Sequence, residues 1–226
     1  MDEQLRTEFN EWARAGKGES MEQGHGPVGR QAIALMQVGS DSRVLDVGCG
    51  SGWATRLLAD YAVNGRVTGI DISDEMVNLA RESSVSYPNV DFEVASAEQL
   101  PFPDNEFTHA FSMESLYYYR NIPKALKEIQ RVLKPGGSFF GCSAHHQRSG
   151  ATIFFIVFTA LERTSRIVVG HRPGIEYPLV FDALEAGIDE QRPVVFNTEQ
   201  LDRDFERVDP LMRGLVLPIQ VDDGKK

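Results

Sequence analysis

The stretch VLDVGCGSGWAT, Val44 to Thr55, reads as a strand, a tight turn and the start of a helix. Val44, Leu45 and Val47 suit a strand buried on both faces, and Gly48, Gly50 and Gly52 let the backbone turn sharply and approach a ligand closely. From Trp53 to Ala59 the composition turns helical, with Leu57 and Leu58 on an apolar face. The free N–H groups at that helix start would meet whatever fills the crevice at the strand's carboxyl end. The spacing is G-x-G-x-G with an acid, Asp46, two residues before the first glycine. A dinucleotide fingerprint has G-x-G-x-x-G instead, which disfavours a nicotinamide-dependent oxidoreductase.

A second strand, Arg66–Ile72, ends in Gly-Ile-Asp-Ile and leaves Asp71 at its carboxyl end, where an acid suits a ribose diol. Asp46, Gly48, Gly50 and Asp71, followed by ASAEQLPFPDNEF at Ala95 to Phe107, resemble the cofactor site of class I S-adenosylmethionine-dependent methyltransferases, specifically their small-molecule, type 11-like domains. ALKEIQRVLKPGG, before the fifth expected strand, is similar to the same family. The resemblance covers roughly Val44 to Cys142. It implies a Rossmann-like three-layer α/β/α sandwich with a mostly parallel seven-stranded sheet and an antiparallel last strand.

It also implies a cofactor site. The backbone of Gly48, Cys49 and Gly50 would lie against the methionine part of S-adenosylmethionine, with Asp46 orienting its amino group and Asp71 accepting from both ribose hydroxyls. Ile72 and Met76 would sandwich the adenine, and Met113 would line the pocket. Where the family usually has an Asp that contacts the adenine amine, this chain has Ser96, so Ser96 or Glu98 would take that role while the Ala97 N–H reaches a ring nitrogen. Asp71 has a plainer reading as a cap of the next helix, Met76 as core, and Glu98 as a solvated helix-start acid.

The acceptor and the catalytic residues are not fixed by these motifs. Strand four ends in SMESLYYY, Ser112 to Tyr119, at the edge where the family places the reacting methyl. A hydroxyl nucleophile would be helped by a general base, for which Glu114 and His145 are candidates; Tyr117 is a candidate for orienting the acceptor. The histidines show no metal-ligand spacing, so no metal is expected.

The first forty residues read as a helical cap. Leu5, Phe9 and Trp12 form one face of a helix ended by Gly16 and Gly18, and a polar run, Gly24 to Pro27, precedes a second helix with Pro27 in its first turn. Trp12 is either part of a closing face or ordinary packing. From residue 43 to 142 strand and helix alternate, with strands expected at Arg43–Val47, Arg66–Ile72, Val90–Val94, Phe107–Met113 and Ser138–Cys142. Residues 145–192 are expected to hold a long apolar helix over Ala151–Val169, with a strand pair as the alternative, and then a substrate lid. Residues 193–226 are expected to supply the last strands, at Pro193–Phe196 and Leu215–Val221.

At 226 residues the chain has room for one α/β domain. A net charge of −10 argues against broad attraction to nucleic acid or anionic membranes. Two cysteines, no basic leader and no spanning apolar segment lead to the expectation of a cytoplasmic protein, a monomer or homodimer, acting on a small-molecule methyl acceptor. The rival readings are an RNA or protein methyltransferase and a non-catalytic S-adenosylmethionine-binding protein.

Overall fold

The computed structural model describes residues 2–147, 150–160, 165–171 and 194–197, and side-chain surroundings up to Cys142. Five parallel strands form its centre: β1 (Arg43–Val47), β2 (Arg66–Asp71), β3 (Val90–Val94), β4 (Phe107–Met113) and β5 (Leu133–Gln147), side by side in the order β3-β2-β1-β4-β5. Helices α3 (Trp53–Tyr61), α4 (Asp74–Ser83) and α5 (Ile122–Val132) supply three of the four connections, and residues 95–106 cross from β3 to β4 without a helix. The reversal of strand order between β1 and β4 opens a crevice at the carboxyl ends.

The period of two along each strand divides the core between the sheet's faces. Leu45 and Val47 pack with Leu126, Ile129 and Phe139 on the α5 face, whereas Val44 packs with Ala54, Leu58 and Phe140 on the α3 face. All nine are less than 2 % exposed except Ala54, at 2 %. Each large member contributes about 1.5–3 kcal/mol by leaving water. Helix α5 opens with Pro123 in its first turn, and Asn121 caps it by accepting from the Lys124 N–H at 2.9 Å.

Two cap expectations need correction. Helix α1 (Glu3–Arg14) forms as read, but α2 runs from Lys17 to Leu35, so Gly18 does not end a helix and Pro27 lies inside one. The glycines serve close packing instead. A side-chain carbon at Gly18 would stand 3.0 Å from Ser51 Cβ, and one at Gly29 would stand 2.4 Å from the Trp53 ring. Pro27 removes one helical hydrogen bond, and the helix continues because its inner face, with Ala32, Ile33 and Met36, is buried on the core.

The sheet also continues differently after β5. In place of seven strands with the antiparallel one last, eight described strands form one sheet, and the direction reverses directly after β5. Strand β6 (Gly150–Ala160) is antiparallel to β5, β7 (Ser165–His171) is antiparallel to β6, and β8 (Val194–Asn197) runs parallel to β7. The expected helix over Ala151–Val169 is therefore a strand pair. Its β-branched and aromatic residues carry that preference, and the long edge of β5 offers them a ladder of partners. Strand β5 itself begins five residues before the expected Ser138, with a register shift against β4 between Phe107 and His109. The expected lid over residues 172–192 and the strand Leu215–Val221 lie outside the described residues.

Candidate functional site

The turn after β1 is built by backbone geometry. Gly48, Gly50 and Gly52 have φ of +75°, +53° and +80°, a region costly for other residues. The N–H groups of Gly48 and Cys49 both donate to the Ile70 carbonyl at 2.8 Å, tying the turn to β2. A side-chain carbon on Gly48 would stand 2.4 Å from Ser115 Cβ, whereas one on Gly50 meets nothing within 4 Å.

Two carboxylates flank this turn. Asp71, half-buried at the end of β2, accepts from the Gly50 N–H at 3.0 Å and the Ser73 N–H at 2.9 Å; burial raises its pKa against those bonds. Asp46 is 1 % exposed and accepts from the Thr55 hydroxyl at 2.6 Å. Burial pushes its pKa up to about 7, and the neighbouring charge of Asp71 adds to the rise. The Cys49 thiol between the glycines is also buried, and its pKa is raised well above the usual value by burial and by the same two acids.

These groups face one cavity of about 330 Å³ at the carboxyl edge of the sheet. That volume falls within the about 300–1,000 Å³ typical of small-molecule sites. Every expected cofactor residue lines it: Asp46, Gly48, Cys49, Gly50, Asp71, Ile72, Met76, Ser96, Ala97, Glu98 and Met113. The Ser96 hydroxyl oxygen is already engaged by the Glu98 N–H at 3.2 Å, and Glu98 Oε1 accepts from the Asn121 N–H at 3.0 Å, so Glu98 ties the wall to the start of α5.

The catalytic candidates separate. Glu114 is in the wall, in a left-handed conformation at φ +54°, with its N–H on the Cys142 carbonyl at 2.8 Å and its Oε2 accepting from the Tyr117 hydroxyl at 2.7 Å. Tyr117 is not part of the wall and is 52 % exposed; Tyr118 and Tyr119 line it instead. The chain turns here through a 3₁₀ helix, Leu116–Tyr118, which aims the last two tyrosines inward. His145 lies within β5, opposite Thr152, rather than in a loop after the strand; its side chain is outside the described residues.

The cap contributes residues that the sequence reading did not assign to the site. Leu5 and Phe9 of α1 and Met21 and His25 of α2 line the cavity, as do Asp2, Arg120 and Lys124. The amphipathic stripe of α1 was the signal for Leu5 and Phe9. Trp12 packs behind Phe9 with ring centroids 5.1 Å apart, and Lys17 Nζ sits 4.2 Å above its ring, so it is a supporting residue. Helix α1 is held at both ends of the cavity. Arg6 binds Asp74 at 2.5 Å and Arg14 binds Glu75 at 2.8 Å on α4, while Asp2, which also caps α1, pairs with Arg120. Among the described residues no cluster of His, Cys, Asp or Glu could hold a metal ion, and no helix is long and apolar enough to cross a membrane.

Comparison with known proteins agrees with this geometry. Residues 45–141 match the family described as "Methyltransferase domain". The chain is 33 % identical over 150 residues to a demethylmenaquinone methyltransferase of Tropheryma whipplei, covering 66 % of this chain and 62 % of that protein. It is 36 % identical over 154 residues to the ubiquinone/menaquinone biosynthesis C-methyltransferase UbiE of Rickettsia bellii, covering 61 % and 59 %. The chain thus spans about three fifths of these curated relatives. A solved complex of the Haloferax volcanii Trm112 methyltransferase activator with a methyltransferase contains a chain 40 % identical, with TM-score 0.58 over 60 % of each chain. The glycine turn, the two carboxylates and most of the five parallel strands fall within residues 45–141, the stretch that is similar to the methyltransferase domain.

Proposed function

We propose that the chain transfers the methyl group of S-adenosylmethionine to a small aromatic acceptor, and that this acceptor is a ring carbon of a reduced quinone. One observation carries the cofactor half: Asp46 and Asp71, on neighbouring strands, bracket the left-handed glycine turn and face one cavity. Asp71 takes the ribose hydroxyls, the backbone of Gly48, Cys49 and Gly50 carries the methionine part with Asp46 behind it, and Ile72, Met76, Ser96, Ala97, Glu98 and Met113 enclose the adenine and the sulfur. When bound, the donor supplies an electrophilic methyl on a sulfonium; the chain's residues orient it and keep water away.

The acceptor half rests on two supports. The relatives at 33 % and 36 % identity are named for quinone methylation. Phe9 and Tyr118 stand edge to face in the wall, centroids 4.9 Å apart, an apolar surface suited to a flat ring. A ring carbon becomes nucleophilic when the adjacent phenolic O–H loses its proton, and Glu114 is the wall carboxylate we assign to that proton, with Tyr117 fixing its rotamer. His145 is the second candidate for this role. The acids of the wall, Asp2, Asp46, Asp71, Glu98 and Glu114, outnumber Arg120, Lys124 and His25, which disfavours RNA as acceptor.

The test is incubation with methyl-labelled S-adenosylmethionine and a naphthohydroquinone lacking the ring methyl. Label on a ring carbon is the expected result. Binding of the donor without transfer to quinols, phenols or thiols would favour a non-catalytic cofactor-binding protein. Asp71→Ala is expected to weaken donor binding by about 2 kcal/mol, roughly thirtyfold, because it removes charge-assisted hydrogen bonds. Wild-type affinity in that variant would refute the placement of the ribose.

A further inference from the structure

Three hydroxyl groups meet beside the glycine turn, and their protons can be assigned. Ser115 Oγ lies 3.0 Å from the Val47 carbonyl oxygen, which only accepts, so Ser115 donates to it. With its single proton committed, Ser115 Oγ accepts from Tyr119 Oη at 2.7 Å and from Ser112 Oγ at 2.5 Å. Tyr119 therefore spends its proton on Ser115, its neighbour in the cavity wall, and meets a ligand as an acceptor through its remaining lone pairs. That oxygen is 3.5 Å from the position a side-chain carbon on Gly48 would occupy, which places it against the turn. Burial keeps the phenol neutral, and the charges of Asp71 and Asp46 act in the same direction. The same two carboxylates make this end of the cavity favourable to a positive group.

We propose that Tyr119 Oη accepts a hydrogen bond from the positively charged methionine portion of the methyl donor, its direction set by Ser115 and the Val47 carbonyl. This inference rests on the S-adenosylmethionine reading above and deepens it. Two donors exist in that portion: the ammonium N–H, shared with S-adenosylhomocysteine, and the polarised C–H of the sulfonium methyl, which the product lacks.

The experiment is titration of the wild-type chain, Tyr119→Phe and Ser115→Ala with S-adenosylmethionine, S-adenosylhomocysteine and adenosine, which has no methionine portion. Tyr119→Phe is expected to weaken S-adenosylmethionine about tenfold and leave adenosine unchanged. An equal loss for S-adenosylhomocysteine identifies the ammonium; a loss confined to S-adenosylmethionine identifies the sulfonium methyl. Ser115→Ala keeps the phenol but releases its proton, and a smaller loss for S-adenosylmethionine is expected. Equal weakening of all three ligands by Tyr119→Phe would make Tyr119 merely structural and overturn the proposal. Wild-type binding with an unchanged Tyr119→Phe overturns this inference alone, whereas a wild-type chain that binds none of the three overturns the cofactor reading with it.

Discussion

Gly48 and Gly50 both hold left-handed backbone, yet alanine is expected to act differently at each. At Gly50 the added carbon enters open space, leaving only the backbone strain of about 1–2 kcal/mol. At Gly48 the same strain adds to a carbon 2.4 Å from Ser115 Cβ, and Ser115 is the hub of the hydroxyl network, so about 3 kcal/mol or more is expected. Urea unfolding of the two variants checks this; equal losses would refute the close approach. Asp46 gives a pH dependence with a definite sign. Its pKa rises from 3.8 to about 7 on folding, so between these values the native chain holds a proton that the unfolded chain has released. Stability of the ligand-free protein should therefore fall as pH rises from 4 to 7, by on the order of 4 kcal/mol at most, and then level off. Asp46→Asn should flatten that slope in unfolding measurements across the range. Both glycines and both acids were legible in the sequence because turn conformation and strand-end position are local properties. The Tyr119 network was not, since it depends on a β4 residue, a 3₁₀ turn and the Val47 carbonyl meeting in space.

At the scale of elements, the sequence was clearest where short-range signals agree. Pro123 in the first turn and the buried Leu126 and Ile129 mark α5 unaided, whereas Leu133, which continues their spacing, is the first residue of β5. Helix α2 differs from its expected bounds because Gly18 and the run Gly24 to Pro27 look like breakers, whereas Gly18 is a point of contact with Ser51, a distinction visible only after packing. The apolar run from Ala151 to Val169 carries no periodicity that separates a buried helix from strands, and the exposed ladder of β5 decides the matter. Arg131 makes the largest set of ties between α5 and the loop that joins β3 to β4, beside those of Glu98 and Glu128. Arg131 reaches Glu128 and Asp104 at 2.8 Å and the carbonyls of Phe102 and Leu100 at 2.8 and 3.1 Å. Arg131→Met keeps much of the aliphatic stem and removes every donor, so a loss of about 1–3 kcal/mol in thermal unfolding is expected, with faster amide exchange over residues 98–106. Surface-like behaviour, below about 0.5 kcal/mol, would show that the carbonyls are served as well by water.

For the whole molecule, the alternation of strand and helix between residues 43 and 142 was enough to make that half of the sheet parallel, while the order β3-β2-β1-β4-β5 comes from the structure. Beyond Cys142 the strand direction depends on partners far apart in sequence, and the alternation of elements does not announce the meander of β5, β6 and β7. The cap joins the two sides of this molecule across its crevice. Helix α1 is moored to α4 by Arg6–Asp74 and Arg14–Glu75, and to the far wall by Asp2–Arg120, all pairs with water-exposed members. Screening shortens from about 10 Å at 0.1 M salt to about 3 Å at 1 M, so these moorings loosen with salt while the enclosed contacts of the cavity do not. A ligand's residence time should consequently shorten as salt is raised, and its arrival should quicken by a similar factor, leaving the ratio of the two rates nearly constant. Stopped-flow exchange at several ionic strengths reads both rates; a residence time indifferent to salt would mean that ligands pass by another opening.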